Sequence, residues 1–165
     1  MRERTLLDSS GAPSPLLGLA SGDAAVVSFI YLSCPHACPM ASATMQRLDR
    51  MLAEHPGLAG RVQLVSVSFD PQRDTPERMR RLERQLAPRG RWRFLTPPGT
   101  GPLGALLSDF GQDALSVAQT RQLRHVLKIF LVDDSGAIRN VYSTGLLDPR
   151  LIVNDLLTLR AETDA

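Results

Sequence analysis

Cysteine, histidine and lysine are scarce in this sequence. Its 165 residues contain two cysteines and three histidines, and Lys128 is the sole lysine, so eighteen of the nineteen basic residues are arginine. Each scarcity excludes something. Two thiols cannot build a disulfide framework, and none is needed: a chain of this length buries roughly two-thirds of its unfolded surface and holds a core without staples. Structural zinc commonly takes four protein ligands as two cysteine pairs, and there is no second pair. The arginines are interleaved with acids, as in "RDTPERMRRLERQ" from Arg73 to Gln85, and the net charge is only +2. That pattern is a solvated helix face and excludes the basic stripe of a nucleic-acid binder. Long apolar runs are also missing. The longest, "AAVVSFIYL" at 24–32, falls far short of the roughly 20 residues that span a bilayer. "MRERTLL" has no hydrophobic segment after its charges, so any membrane anchor or export signal is expected to lie outside this sequence. Internal repeats, low-complexity tracts and interdomain linkers are absent. What remains has the composition of an ordinary soluble globular protein, 43% hydrophobic and 22% charged.

The residues present are ordered by clear periodicities. "VVSFIYL" (26–32) and "VQLVSVSF" (62–69) are β-branched and aromatic runs of strand length. Between them, "MASATMQRLDRMLAEH" places Ala41, Met45, Leu48, Leu52 and His55 on one helical stripe, ended by "HPGLAG". A right-handed crossover then makes the two strands parallel neighbours. A second helix follows, with Thr75 as N-cap, Pro76 at the first position and a Met79, Leu82, Leu86 stripe. "RWRFLT" (91–96) reads as a short strand and "GPLGALLSDFG" (101–111) as a short helix. "HVLKIFLVDDSGAIRNVYS" reads as a β-hairpin around "DDSG", and "DPRLIVNDLLTLRA" as a closing helix opened by Asp148 and Pro149. After an N-terminal extension (1–23) packed on a domain of residues 24–165, this order is that of an α/β thioredoxin-like sandwich. Such a sandwich has a mixed sheet, helices on both faces and an antiparallel hairpin at one edge.

Both cysteines, Cys34 and Cys38, fall where the first strand feeds the first helix. His36 lies between them and a proline follows each. A helix start favours a thiolate through its unpaired N–H groups and the positive end of its dipole. Pro35 and Pro39 predict an irregular turn over 34–37, with the regular helix starting near Pro39. Three intervening residues, where thioredoxin-like oxidoreductases usually have two, suit two thiolates gripping one ion at least as well as disulfide exchange. Soft thiolates select Cu(I) or zinc, and copper accepts two or three ligands. A third ligand is to be sought among the histidines. His125 opens "HVLKIFLV", alternating with Leu127, Ile129 and Leu131. A histidine there is often a packed or capping residue, but in this topology the start of that strand faces the first helix's N-terminus. His55, at the far end of the helix, reads as structural. Met45 lies on the apolar stripe, and Met40 is read as filler like it.

"CPHACP" after a hydrophobic strand, "SFDPQRDTPERM" after the next and a histidine opening the third together resemble the Sco/SenC family of copper-binding thioredoxin-like proteins, over roughly residues 24–159. That family assists assembly of the dicopper CuA centre of cytochrome c oxidase. The resemblance implies that Cys34 and Cys38 are thiolate ligands and His125 the imidazole ligand of a copper site, for Cu(I) or Cu(II). Asp70 matches an acid that the family places near this site, with a role behind the ligands or in orienting the histidine; turn and capping chemistry is the other reading of Asp70 and the one taken for Asp74. Two positions depart from the family pattern. His36 stands where the family commonly has an acid between the cysteines, and Arg124 where it has an acid before the histidine; both make the mouth of the site more positive.

The implied function is a copper metallochaperone acting on the oxidase subunit that carries CuA, or on another periplasmic copper protein. The competing reading is a thiol-disulfide oxidoreductase that uses Cys34 and Cys38 as a redox pair to reduce a partner's copper-ligand cysteines. A peroxidase fits poorly, because the threonine wanted three residues before the reactive cysteine is replaced by Tyr31 or Pro35. A dithiol that meets copper suits the periplasmic side of a bacterial inner membrane. Family members are typically tethered there by an N-terminal helix that this chain does not show.

Overall fold

A computed structural model of the protein describes residues 3–33, 37–112, 128–143 and 147–163, with the backbone alone at 37, 38 and 163. A small antiparallel pair, β1 (Thr5–Leu7) and β2 (Pro13–Pro15), precedes the main body. There follow β3 (Ala24–Ile30), α1 (Ala37–Glu54), β4 (Val62–Ser68), α2 (Pro76–Leu86), β5 (Trp92–Leu95), α3 (Gly101–Asp109), β6 (Lys128–Asp133), β7 (Ile138–Ser143) and α4 (Pro149–Thr163). The five-stranded sheet has the order β5-β4-β3-β6-β7. Strands β3, β4 and β5 run parallel, whereas β6 is antiparallel to β3 and pairs with β7 as a hairpin. This is the thioredoxin-like sandwich expected from the element order.

The central strands alternate sharply although every residue of β3 and β4 is buried, because both faces of the sheet are covered. Val26 and Ile30 join Leu64, Ile129 and Leu131 under α1, α2 and α4, contacting Met45, Leu48, Met79 and Leu156. Val27 and Phe29 join Val65, Val67 and Phe130 on the opposite face, under Leu106 and Leu107 of α3. Leu6, Leu16 and Leu17 of the N-terminal segment complete that second layer.

Local chemistry sets the ends of the elements. Thr75 caps α2 by accepting from the Arg78 N–H at 3.4 Å, with Pro76 in the first helical position. Asp148 opens α4 and accepts from the Arg150 N–H at 3.0 Å. In the β6–β7 turn the Asp133 carboxylate accepts from the N–H groups of Ser135 and Ala137, both at 3.0 Å. Gly136 supplies the left-handed residue there at φ 80°. Both the strand predicted over 91–96 and the helix predicted over 101–111 are present, as β5 and α3.

One side chain makes four hydrogen bonds to the second strand of the N-terminal pair and the residues after it. The Arg93 guanidinium on β5 donates to Ser14 Oγ and to the carbonyls of Pro15, Leu16 and Leu17, at 3.0, 2.7, 3.1 and 2.6 Å. Leu7 pairs with Thr96 just beyond the end of β5.

Candidate functional site

The strand register builds the site's floor. β3 and β4 run side by side with Ile30 opposite Ser68, so both chains leave the sheet together at its carboxyl edge, where α/β folds place their ligand crevices. Beyond the strands they stay joined. The Phe69 N–H donates to the Ile30 carbonyl at 3.0 Å, and the rings of Tyr31 and Phe69 pack at a centroid distance of 5.1 Å. From β3 the chain passes through residues 31–33 to Cys34; from β4 it passes through Phe69 to Asp70.

Of the predicted ligands, Cys34 and His125 lie outside the described residues, as do His36 and Arg124, and for Cys38 the backbone alone is described. Cys38 stands in the first turn of α1, which begins at Ala37, two residues earlier than the expected start near Pro39. Pro39 is then the third helical residue. The N–H it lacks has no intrahelical partner in a first turn, so the proline costs the helix nothing. There is no acidic side chain in that turn to offset the positive end of the helix dipole.

Lys128 begins β6 beside the end of β3, since Ser28 pairs with Ile129 in the antiparallel register. β6 therefore begins at the edge of the sheet where β3 ends. Ile129 and Leu131 are buried with Met45 and Leu48 of α1.

Asp70 lies in the loop after β4, alongside residues 31–33. Its N–H donates to Ser68 Oγ at 3.0 Å, and its carboxylate pairs with Arg73 at 3.1 Å. His55 follows the end of α1. It is about 25 Å along the axis from Cys38, at about 1.5 Å per residue, and shares no site with it. Met45 is fully buried, as its place on the apolar stripe requires, whereas Met40 is 47% exposed and is not core filler. It lines an open groove of about 860 Å3 with Arg47, Arg50 and Leu147. A second groove of about 490 Å3, bordered by Tyr31, Leu32, Pro39 and Leu82, opens on the other side of the same helix turn. Among the described residues no group of three or more His, Cys, Asp or Glu side chains could hold a metal.

Asp74, like Met40, departs from its expected role. It was assigned to turn and capping chemistry, but Thr75 is the cap and Asp74 is fully buried. Its Oδ2 accepts from the Leu32 N–H at 2.9 Å and from Ser68 Oγ at 2.8 Å, and its Oδ1 has no hydrogen-bond partner among the described residues. The nearest cation is Arg78 Nη1, 3.8 Å from Oδ1. Burial raises its pKa, the Leu32 and Ser68 hydrogen bonds oppose the rise, and the charge of Asp70 adds to it. A carboxyl group with a raised folded pKa binds more protons folded than unfolded in the interval just above its ordinary 3.8. Its contribution to stability is greatest below that interval and is lost as pH rises through the folded value. Asp74→Asn, which cannot ionise, is therefore expected to gain stability relative to the parent as pH rises from 4 to 7. Urea midpoints at several pH values measure this, and a pH-independent difference between the two proteins would contradict it.

Comparison with known proteins agrees with this architecture. The SCO1/SenC family pattern matches residues 19–160. Among solved structures, a SCO1/SenC family lipoprotein from Bacillus anthracis superposes with a TM-score of 0.79 at 23% identity, covering 96% of this chain and 94% of its own. BsSco, a member of the Sco family of cytochrome c oxidase assembly proteins in which a disulfide switch was identified, gives 0.78 at 21%, with coverages of 96% and 92%. Arabidopsis thaliana ScoI, determined with copper bound, gives 0.74 at 17%, with coverages of 98% and 98%. No curated protein sequence matches significantly. At these identities the superpositions speak for the thioredoxin-like fold. The family pattern, which spans most of the chain, shows that this protein belongs to the SCO1/SenC family.

Proposed function

We propose that this protein is a copper metallochaperone that assists assembly of the CuA centre of cytochrome c oxidase. Copper, as Cu(I) or Cu(II), is its cargo, held by the thiolates of Cys34 and Cys38 and the imidazole of His125, with Asp70 behind them. The observation that carries the proposal is the position of Cys38 in the first turn of α1, at the carboxyl edge of β3, with the Asp70 loop hydrogen-bonded alongside. A helix start stabilises thiolate, and thiolate is the form that binds a soft ion. Transfer needs no redox chemistry. A thiolate of the recipient adds to the ion as one of the chaperone's ligands leaves, and the grooves on both sides of α1 leave room for a partner to approach.

The proposed setting is the periplasmic side of a bacterial inner membrane. The resemblance to a lipoprotein is consistent with a domain held at a membrane, and no helix among the described residues is long and apolar enough to cross one. Titrating the fully reduced protein with Cu(I) and then Cu(II), with the absorption spectrum recorded, tests the proposal. One equivalent bound, with sulfur-to-copper charge-transfer bands, is expected. If no copper binds while the protein reduces a disulfide substrate, the oxidoreductase reading replaces this one.

A further inference from the structure

Three carboxylates are buried in the described residues: Asp23, Asp49 and Asp74. The first two have evident structural partners. Asp23 pairs with Arg91 at 2.9 Å, and both oxygens of Asp49 accept backbone N–H groups, from Arg89 at 2.7 Å and Gly90 at 2.9 Å. Asp74 differs, because among the described residues it has no cation within hydrogen-bond distance and keeps one oxygen unsatisfied. A buried acceptor without a donor destabilises the fold, so Asp74 is a poor choice if its only task is to hold a turn.

What it touches suggests another task. A single oxygen, Oδ2, accepts from the N–H of Leu32, two residues before Cys34, and from the hydroxyl of Ser68. That hydroxyl oxygen in turn accepts from the N–H of Asp70. The residues that lead to Cys34 and the backbone of Asp70 thus meet at one carboxylate, through a chain Leu32–Asp74–Ser68–Asp70. The geometry points to Asp74 as a positioning residue that sets the spacing between the segment entering Cys34 and Asp70. It acts through Leu32 and Ser68 without touching the cargo itself. This rests on the copper reading above, although its effect on the thiols does not require copper.

The test uses the full chain and four substitutions: Asp74→Ala, Asp74→Asn, Ser68→Ala and, as a control of similar burial remote from the thiol turn, Asp49→Ala. Two quantities are read at a temperature where each variant is folded. One is the copper dissociation constant with its charge-transfer spectrum. The other is the equilibrium constant for disulfide formation against glutathione in the metal-free protein. Asp74→Ala is expected to weaken copper binding by about 10–100-fold, the range for groups that orient metal ligands. It should also lower the disulfide-formation constant by about tenfold, because a looser turn reduces the effective concentration of one thiol at the other. Asp74→Asn keeps an acceptor oxygen and should restore most of both losses; Ser68→Ala should give part of them. Asp49→Ala should lower the unfolding midpoint and move neither readout. Equal readouts for Asp74→Ala and Asp49→Ala, or no change in either, would overturn the inference. If Asp74→Ala does not fold, Ser68→Ala decides in the same way. If the parent binds no copper, the function proposed above fails, while the disulfide arm still judges Asp74.

Discussion

Replacing Cys38 with serine is expected to abolish stoichiometric copper binding and its charge-transfer bands, with the dissociation constant rising by well over the roughly 100-fold that marks the upper range for orienting residues. Serine is nearly isosteric, but its hydroxyl stays protonated and is a hard, neutral donor where a soft anion is required. It also has nothing to gain from the helix start that stabilises a thiolate at this position. The fold should be unaffected, since neither cysteine is needed as a staple. His125→Ala separates the two readings of the dithiol. It should weaken copper binding sharply yet leave reduction of a disulfide substrate near the parental rate, because thiol exchange proceeds through the two sulfurs alone. Titration of both variants beside the parent, with a disulfide-reduction assay on the same samples, checks this. Parental copper affinity in His125→Ala would remove the imidazole from the ligand set, and parental affinity in Cys38→Ser would end the metallochaperone proposal.

Phe29→Ala is expected to cost about 3–5 kcal/mol, the range for deleting a fully buried aromatic ring from a core that cannot collapse around the gap. Phe29 is completely buried. It packs edge-on against Phe110 at 4.9 Å and Phe130 at 5.9 Å, and those two rings meet at 4.9 Å, so three aromatics close the layer beneath α3. Because β3 is hydrogen-bonded on both sides, the strand cannot shift to refill the space. Urea unfolding should show a lower midpoint with an unchanged slope. A loss below about 1 kcal/mol would mean that neighbouring side chains relax into the gap. This ring lies on the face of the sheet away from α1, so the protein that remains folded should still bind copper. Stability and metal binding are separable in this fold by choosing the face of one strand.

The main elements were legible because their signals are local. β-branched runs marked β3, β4 and β6; the Met79, Leu82, Leu86 spacing marked α2; Thr75 and Pro76 marked its start within a single turn of chain. The N-terminal pair β1–β2 was not legible. Its strands are three residues each, one of them "PSP", too short for alternation to appear. β2 is held by Arg93, nearly 80 residues away in sequence, and β1 by the pairing of Leu7 with Thr96. The early start of α1 was missed because Pro39 was taken as the helix boundary. The proline instead falls in the first turn, where its missing N–H goes unnoticed. The helical stripe already marked Met45 as core, but Met40 was read as filler by residue type, and the packing of α1 on the sheet and against α4 leaves it exposed.

The candidate site divides in the same way. Residue type and spacing singled out Cys34 and Cys38, because soft ligands are few in this chain and a strand-to-helix junction is written in its periodicity. His125 was drawn in by the topology expected of the fold, and its ligand role and the place of Asp70 were implied by the resemblance to the Sco/SenC family. The importance of Asp74 was hidden. Asp70 and Asp74 occupy the same short motif and read equally as turn residues. Which of them reaches the backbone before Cys34, 42 residues back, is decided when β3 and β4 pair in register and bring two distant loops together. Periodicity along a chain determines which elements form; contacts between loops exist only after those elements have packed.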